Sequence, residues 1–178
     1  MLRVGTVGTS SIMRTIQEAI RLTDGMECRV VYSRTEEQGR AFAAEMGVPE
    51  HCTDYAAMLE RSDLDLIDIA SPNRFHVEQA LAALEHGKHV IVEKPAAVTR
   101  GDVQRLIDAA RANGVYFFEA ITTLFMPQYE ACRLLLPKLG RIEQAHITYA
   151  QYSSRYDAYL RGENPNIFNP AMQAGALN

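Results

Sequence analysis

The sequence predicts an α/β fold, in which a doubly wound parallel sheet is followed by the start of a second α/β domain with an open sheet. Apolar runs of strand length alternate with stretches of helical period through residues 1–120. This alternation is typical of βαβ units, whose crossover helices cover both faces of a parallel sheet. Beyond residue 120 the alternation stops. We therefore expect a first domain at 1–120 and an incomplete portion of a second at 121–178.

The elements of the first domain follow from its apolar periodicity, and several helix ends carry their own signals. Thr99, with Asp102 three residues later, resembles a capping box with the shorter acid. Gly87 and Gly114 stand where a left-handed helix end favours glycine. Strands are expected at 2–7, 28–33, 64–70, 88–92 and 115–119, and helices at 12–20, 35–47, 75–87 and 99–114.

The portion after residue 120 offers too few elements for a core. A helix is expected beyond Pro127, an alternating strand at 142–152, and after it a long loop rich in Asn, Pro and Gly. That strand would keep an unpaired edge and an uncovered apolar face, so we expect self-association through residues 121–178 or disorder of that segment. Four side chains there face either a ligand or only solvent: Tyr149, Tyr152, Arg155 and Tyr156.

Composition and charge argue against several classes of protein. The formal net charge is -4 and the basic residues are scattered, which disfavours nucleic acid and anionic membrane as partners. No apolar run approaches the roughly 18 residues that a membrane span needs. Cys28, Cys52 and Cys132 fit neither a disulfide framework nor the spacing of a metal site. We expect three reduced, mostly buried thiols, no metal, and a cytoplasmic location.

A turn of small residues follows the first strand, in "RVGTVGTSSIMRTI". A dinucleotide fold has its phosphate loop at this place, where backbone N–H groups and the helix dipole meet the pyrophosphate. With Gly8 as the first glycine of G-x-G-x-x-G/A, Ser10 takes the second place and Met13 the third. Serine lets phosphate approach, whereas methionine implies looser packing of the helix on the sheet. The residues predict either a cofactor loop or a capped βα turn built from Gly5, Gly8, Thr9 and Ser10.

The end of the second strand distinguishes the two nicotinamide dinucleotides. NAD sites commonly carry an acidic residue there for the ribose 2′-hydroxyl, but "VVYSRTEEQGR" offers Ser33, Arg34 and Thr35. An arginine and two hydroxyls suit a 2′-phosphate better. We predict that NADP(H) is preferred, with NAD(H) as the alternative, unless Arg34 is only a solvated loop charge.

The third strand is followed by "SPNRFH", at the edge where open parallel sheets bind ligands. Asn73 has the donors and the acceptor to bind a ribose or a carboxamide. His76 stands at the start of a helix rather than on its apolar face. Both residues also fit a simpler interpretation, in which "SPN" is a turn and His76 a surface or capping residue.

The fourth strand, "HVIVEKP", ends in two charges and a proline at the same edge. Lys94 can donate a proton to a substrate oxygen, and partial burial beside an oxidised nicotinamide would adapt it to general acid–base work. Glu93 would oppose that effect, and the two residues fit an ordinary ion pair equally well. Pro95 fixes the turn, with a cis peptide as one option.

The motifs "GTSSI", "SPNRFH" and "EKP", in this order and at these separations, resemble the Gfo/Idh/MocA family of glucose-fructose oxidoreductase and inositol dehydrogenase-like enzymes. "FFEAITTLFMPQY" is also similar to the dihydrodiol dehydrogenase-like branch. The resemblance covers residues 1 to about 150. It implies a Rossmann-type domain, an NAD(P)-dependent hydride transfer to or from a sugar, cyclitol, diol or related carbonyl compound, and a homo-oligomer, such as a dimer, formed through the second domain.

The resemblance also implies roles for individual residues. Lys94 is implied as the catalytic or substrate-orienting lysine, with Glu93 beside the nicotinamide and Ala120 at the domain junction. The residues implied to line the cofactor phosphates are Gly8, Thr9, Ser10, Ser11 and Ile12, and those implied near its ribose and nicotinamide are Ser71, Pro72, Asn73 and His76.

The chain differs from the family pattern in one motif. A later glycine-rich stretch leads to an aspartate and then to a histidine or tyrosine, and "AGALN" resembles only its beginning. We expect cofactor binding, with turnover incomplete in these 178 residues. The alternatives are a catalytically silent module that senses NADP(H) or acts through partners, and another doubly wound protein such as a methyltransferase, which does not explain "EKP".

Overall fold

A single parallel sheet organises the first 120 residues of the computed structural model, which describes residues 1–174. All neighbouring strands are parallel and their order is β3-β2-β1-β4-β5-β6. The order reverses between β1 and β4, as in doubly wound dinucleotide-binding folds, so the predicted fold class is confirmed. The strands are β1 Leu2–Val7, β2 Met26–Tyr32, β3 Glu50–Cys52, β4 Leu66–Ile69, β5 His89–Val92 and β6 Phe117–Glu119.

Helices cover both faces of the sheet. On one face, residues of α3, α4 and α5 pack against the central strands, with Leu84 and Leu106 completely buried. On the other face, α1 and α2 pack over β1 and β2 and bury Met13 and Phe42. The helices are α1 Ser11–Leu22, α2 Glu36–Met46, α3 Tyr55–Leu59, α4 His76–Glu85, α5 Arg100–Ala112, α6 Pro127–Leu135 and α7 Tyr156–Leu160.

The expected helix ends are confirmed. The Thr99 hydroxyl accepts a hydrogen bond from the Asp102 N–H at 3.1 Å and caps α5. Gly87 and Gly114 have φ values of 70° and 66°, the left-handed conformation that glycine adopts at low cost. β3 and α3 were not predicted from the sequence. Both are short, and only Asp54, which caps α3 by accepting from the Ala57 N–H at 3.0 Å, gave a local signal.

The portion from residue 121 onward departs from expectation. α6 begins at Pro127 as predicted, but residues 142–152 form no strand. A strand needs a neighbour for its backbone N–H and C=O groups, and the part of the chain that the structure describes offers none there. Large apolar side chains are consequently exposed, among them Phe125 at 82% and Ile147 at 93%. The thiol of Cys132 is also exposed, contrary to expectation, while Cys28 and Cys52 are partly buried.

Two kinds of feature are absent from residues 1–174. No helix there has the length and apolar character to cross a lipid bilayer. No grouping of three or more His, Cys, Asp or Glu side chains in this range is suited to hold a metal ion.

Candidate functional site

A cavity of about 280 Å³ opens at the carboxyl ends of β1, β2 and β4. This is the edge at which doubly wound sheets bind their ligands. Among residues 1–174, Arg34 is the only charged residue that lines it. The lining residues are Val7, Gly8, Thr9, Ser10, Tyr32, Ser33, Arg34, Gln38, Ala70, Ser71, Pro72, Phe75, Gln79 and Asn166.

The loop between β1 and α1 is held close to the end of β4. Gly8 has φ +114°, and a Cβ atom there would lie 2.9 Å from the carbonyl oxygen of Ala70, so only glycine fits. The Gly8 N–H donates to the carbonyl oxygen of Tyr32 at 3.0 Å. Ser10 is the N-cap of α1, yet its hydroxyl makes no capping hydrogen bond. The loop therefore presents a free hydroxyl and the N-terminus of a 12-residue helix to the cavity.

Met13 occupies the place of the third glycine. It is completely buried against Val31, Phe42 and Ala70. The expected looser packing of α1 on the sheet is therefore wrong, because the flexible thioether fills the space between helix and strand. Gly5 is not part of the loop's ligand surface, since a Cβ there would meet Met58 Cε at 3.0 Å.

The end of β2 contributes a positive charge. Arg34 is exposed beside the cavity, whereas Ser33 is buried and its Oγ accepts from the Thr35 N–H at 3.5 Å. Thr35 is the N-cap of α2 and does not line the cavity. The nearby carboxylate of Glu36 is engaged with His51 Nε2 at 2.7 Å. Electrostatically, this end of the cavity is suited to an anion such as a phosphate.

The wall formed after β4 is held by hydrogen bonds. The Ser71 hydroxyl donates to Gln79 Oε1 at 2.6 Å, and the Tyr55 hydroxyl donates to the Gln79 carbonyl oxygen at 2.8 Å. Burial, with a smaller effect of Tyr32, raises the pKa of Tyr55 well above its usual value. The Asn73 amide donates to the carbonyl oxygen of Gln173 at 2.8 Å. Asn73 thus joins the wall to the C-terminal segment, whose Asn166 lines the same cavity.

His76 is a buried residue, contrary to both interpretations considered from the sequence. It is 1% exposed, and neither ring nitrogen is free for a ligand. Nε2 lies 2.7 Å from the Ser71 carbonyl oxygen and Nδ1 lies 2.8 Å from that of Pro95. A neutral imidazole donates to one of these oxygens and an imidazolium to both. His76 therefore braces the loops after β4 and β5 rather than approaching a cofactor.

The loop after β5 is fixed from two sides but leaves Lys94 free. Its Lys94–Pro95 bond is cis, the option considered from the sequence. Besides the contact with His76, the Ala96 N–H donates to Glu119 Oε1 at 2.8 Å. Lys94 is exposed, so the expected partial burial is wrong, and its ammonium makes no ion pair with Glu93 or with any other of residues 1–174.

The structure brings together about half of the residues singled out in the sequence. Seven of them line the cavity: Gly8, Thr9, Ser10, Ser33, Arg34, Ser71 and Pro72. Eight do not line it: Ser11, Ile12, Thr35, Asn73, His76, Glu93, Lys94 and Ala120. Glu93, Lys94 and Ala120 follow β5 and β6, the strands beyond β4 along the same edge of the sheet. The "AGALN" motif lies almost entirely outside the described residues.

Several residues of the site were missed. Tyr32, Gln38, Phe75, Gln79 and Asn166 line the cavity. Phe75 lies within "SPNRFH" but was not singled out there, and no sequence motif distinguishes the other four from ordinary surface residues. Asp68 did carry a signal, because a charged residue interrupts the apolar run "LIDIA". Asp68 is buried, with 6% of its surface exposed. Burial raises the pKa of its carboxyl to about 7, and Glu93 adds a smaller effect in the same direction.

The chain has relatives among NAD-binding oxidoreductases. The sequence model of the Gfo/Idh/MocA family, described as an oxidoreductase family with an NAD-binding Rossmann fold, matches residues 2–121. The chain is 41% identical over 177 residues to the uncharacterized oxidoreductase YgjR of Escherichia coli and 37% identical to the NADP(+)-dependent scyllo-inositol 2-dehydrogenase IolU of Bacillus subtilis. Each match covers 99% of this chain but 54% of the relative. The chain thus spans about half the length of these curated relatives.

Solved structures resemble the described fold. The 3-ketoreductase KijD10 of Actinomadura kijaniata, in complex with NADP and TDP-benzene, gives a TM-score of 0.73 at 30% identity, over 77% of this chain and 42% of that one. Biliverdin reductase of Synechocystis, in complex with biliverdin and NADP+, gives 0.70 at 30% identity, over 79% of this chain and 44% of that one.

Proposed function

This chain belongs to the Gfo/Idh/MocA family of oxidoreductases, and from that premise we propose that it provides the NADP(H)-binding part of a dehydrogenase or reductase. The hydride passes between the nicotinamide and a hydroxyl or carbonyl carbon of a sugar, cyclitol, diol or related compound. The observation that carries the proposal is the cavity beside Gly8, on whose wall Arg34 is the only charged side chain within the described part of the chain.

The residues around the cavity fit a nicotinamide dinucleotide phosphate. The absence of a Cβ at Gly8 lets the loop lie close to the Ala70 backbone, and the free N–H groups of α1 and the hydroxyl of Ser10 bind the pyrophosphate. Arg34 and Ser33 receive the 2′-phosphate at the end of β2. IolU, KijD10 and the biliverdin reductase, all associated with NADP in their names or complexes, support NADP(H) over NAD(H).

Residues after β4 and β5 hold the nicotinamide end of the cofactor, where the reaction takes place. Ser71 and Pro72 contact the ribose, and Glu93 lies towards the nicotinamide. When bound, the nicotinamide accepts or donates the hydride. Lys94 is exposed and without an ion-pair partner among residues 1–174; as an ammonium it donates a proton to the carbonyl oxygen in reduction, and as a neutral amine it accepts the proton of the substrate hydroxyl in oxidation. The hydrogen bonds that link the loop to His76 and Glu119 fix the backbone around Lys94, which keeps this residue at the carboxyl end of β5.

The organisation of the whole protein follows from the same premise. We assign residues 1–120 to the cofactor domain and residues 121–178 to the first portion of a substrate domain, through which copies of the protein associate as a homo-oligomer. The exposed apolar side chains after residue 120, such as Phe125 and Ile147, support such burial against further chain or a second copy. The scattered charges and the relatives' small substrates favour a cytoplasmic enzyme without nucleic-acid or membrane partners.

The test is a titration of the purified chain with NADPH and NADH. NADPH is expected to bind more tightly, and Arg34→Ala to lower its affinity by about ten- to a hundredfold with little change for NADH, because a charge-assisted hydrogen bond contributes about 1.5–3 kcal/mol. Arg40→Ala is the matched control, since Arg40 is exposed on the adjacent helix and does not line the cavity. Failure of both nucleotides to bind would refute the proposed function, and an unchanged preference in Arg34→Ala would refute the role of Arg34.

A further inference from the structure

A carboxyl group lies buried near the centre of the sheet. Asp68 on β4 stands between Thr6 of β1 and Ile91 of β5. The residue is 6% exposed, and its Oδ1 is fully buried with no hydrogen-bond partner among residues 1–174. An ionised carboxylate in such a place loses its hydration without compensation, so the protonated form is favoured.

A second carboxyl lies on the same face of the sheet. Glu93 follows Ile91 by two residues, which directs both side chains to the face that Asp68 occupies. The Lys94 N–H donates to Glu93 Oε2 at 3.3 Å, which keeps the Glu93 carboxylate at the end of β5. Burial raises the pKa of Asp68 to about 7, and the negative charge of Glu93 makes a smaller contribution in the same direction.

Among residues 1–174, the other elements packed against Asp68 bring no positively charged group to its carboxyl. Thr6 of β1 and Gln17 of α1 are neutral and hydrogen-bonded to each other at 2.8 Å. Burial, with a small effect of Asp68, raises the pKa of the Cys28 thiol on β2, so it stays neutral as well. His89, at the start of β5, accepts the Tyr116 N–H on Nδ1. α1 carries three charged residues, Arg14, Glu18 and Arg21. All three are exposed and form ion pairs at the surface.

Asp68 lies just below the edge of the sheet where the proposed cofactor binds. Ala70, two residues or about 7 Å further along the strand, lines the cavity. Glu93 marks the end of the neighbouring strand, where the proposed function has the nicotinamide. This ring carries a positive charge when oxidised and none when reduced. Asp68 is buried, so the dielectric around its carboxyl is low and a change of charge on the ring acts on it more strongly than it would through water.

We propose that Asp68 holds a proton when the reduced cofactor is bound and releases it to solvent when the oxidised cofactor is bound, so that pH sets the preference between the two redox states. The inference rests on the proposed function. Asp68 acts through charge and touches neither substrate nor cofactor. By linkage, a positive ring that favours ionised Asp68 is itself bound more tightly when Asp68 is ionised. The affinity for NADP+ relative to NADPH therefore rises with pH.

The experiment measures dissociation constants for NADP+ and NADPH by calorimetry on the 178-residue chain at about pH 6 and pH 8.5. The ratio Kd(NADPH)/Kd(NADP+) is expected to rise about fivefold between these values, if the pKa of Asp68 differs by about one between the two complexes. Titration of groups that both ligands share, including the 2′-phosphate, affects both dissociation constants equally and therefore cancels in this ratio. In Asp68→Asn the ratio should be independent of pH, whereas Asp24→Asn, an exposed control with the same loss of charge, should behave as wild type.

A second measurement needs no variant. Calorimetry of the wild-type chain in two buffers of different ionisation enthalpy at about pH 6.5 counts the protons exchanged on binding. NADP+ should release about half a proton more than NADPH does. Equal release by the two ligands, a ratio that does not change with pH, or a pH-dependent ratio that persists in Asp68→Asn would each overturn the inference while leaving the proposed function intact. If neither nucleotide binds, the proposed function fails and the inference fails with it.

Discussion

Replacing Gly8 with alanine tests whether the loop after β1 must approach β4 as closely as described. Two separate costs are expected at this position. The backbone at φ +114° lies outside the left-handed region that an alanine tolerates, and the added Cβ would stand 2.9 Å from the Ala70 carbonyl oxygen. Because that oxygen belongs to the backbone at the end of β4, relief requires the loop and the strand to separate.

The two costs are separated by a control at Gly47. This residue has φ +70°, and an added methyl group would have nothing within 4 Å, so Gly47→Ala carries backbone strain alone, about 1–2 kcal/mol. Gly8→Ala should be destabilised by at least about 2 kcal/mol more, since the strain of its φ region, about 1–3 kcal/mol, is joined by the clash. It should also lose most of its NADPH affinity, whereas Gly47→Ala should keep it.

Urea unfolding of both variants and of the wild type, followed by NADPH titration under native conditions, gives the required numbers. Equal destabilisation by the two substitutions would refute the close approach of Gly8 to β4. Full NADPH affinity in a destabilised Gly8→Ala would instead separate the loop geometry from cofactor binding.

Three further predictions concern buried polar groups. Asp68 binds its proton more tightly in the folded chain, so the stability of wild type relative to Asp68→Asn should fall as pH rises through the window from about 4 to about 7, by up to about 4 kcal/mol, in urea unfolding at several pH values. His76→Leu should cost about 1–3 kcal/mol by removing the ring's hydrogen bonding with the partly buried carbonyl oxygens of Ser71 and Pro95, whereas His86→Ala, at an exposed site, should stay within about 0.5 kcal/mol in the same assay. Glu119→Ala should cost about 1–2 kcal/mol because the Ala96 N–H loses its acceptor, while Glu119→Gln, whose amide oxygen still accepts, should unfold close to wild type.

Most strands and helices of the first 120 residues, all except β3 and α3, were predictable because the local sequence of each one indicates it. Continuous apolar runs distinguish strands buried on both faces, and Thr99 and the glycine at position 114 mark the ends of α5. β3 was missed because "EHC" has no apolar run, and its pairing with β2 depends on tertiary contact. Residues 142–152 show the reverse case, in which an alternating pattern is present but no neighbouring strand among the described residues completes the pairing.

The site was predictable where backbone geometry demands a residue type and unpredictable where packing decides. Gly8 and Arg34 follow from the requirements of a phosphate loop and of an anion at the end of β2. The burial of His76 and the exposure of Lys94 depend on how two loops meet, which no local pattern records. Asp68 was visible as a charge in an apolar strand, but its lack of a partner within residues 1–174 is a property of the assembled sheet.

The side chain of His76 connects the loops after β4 and β5 and couples their positions. Its ring contacts the carbonyl oxygens of Ser71 and Pro95, so a shift of either loop strains the same imidazole. The wall after β4, which we propose contacts the cofactor ribose, and the turn that carries Lys94 are therefore expected to move together or not at all. A substitution that changes the shape of one loop will therefore alter the other loop without contacting it. Substitutions near Lys94 that are made to change substrate preference are expected to change cofactor affinity as well.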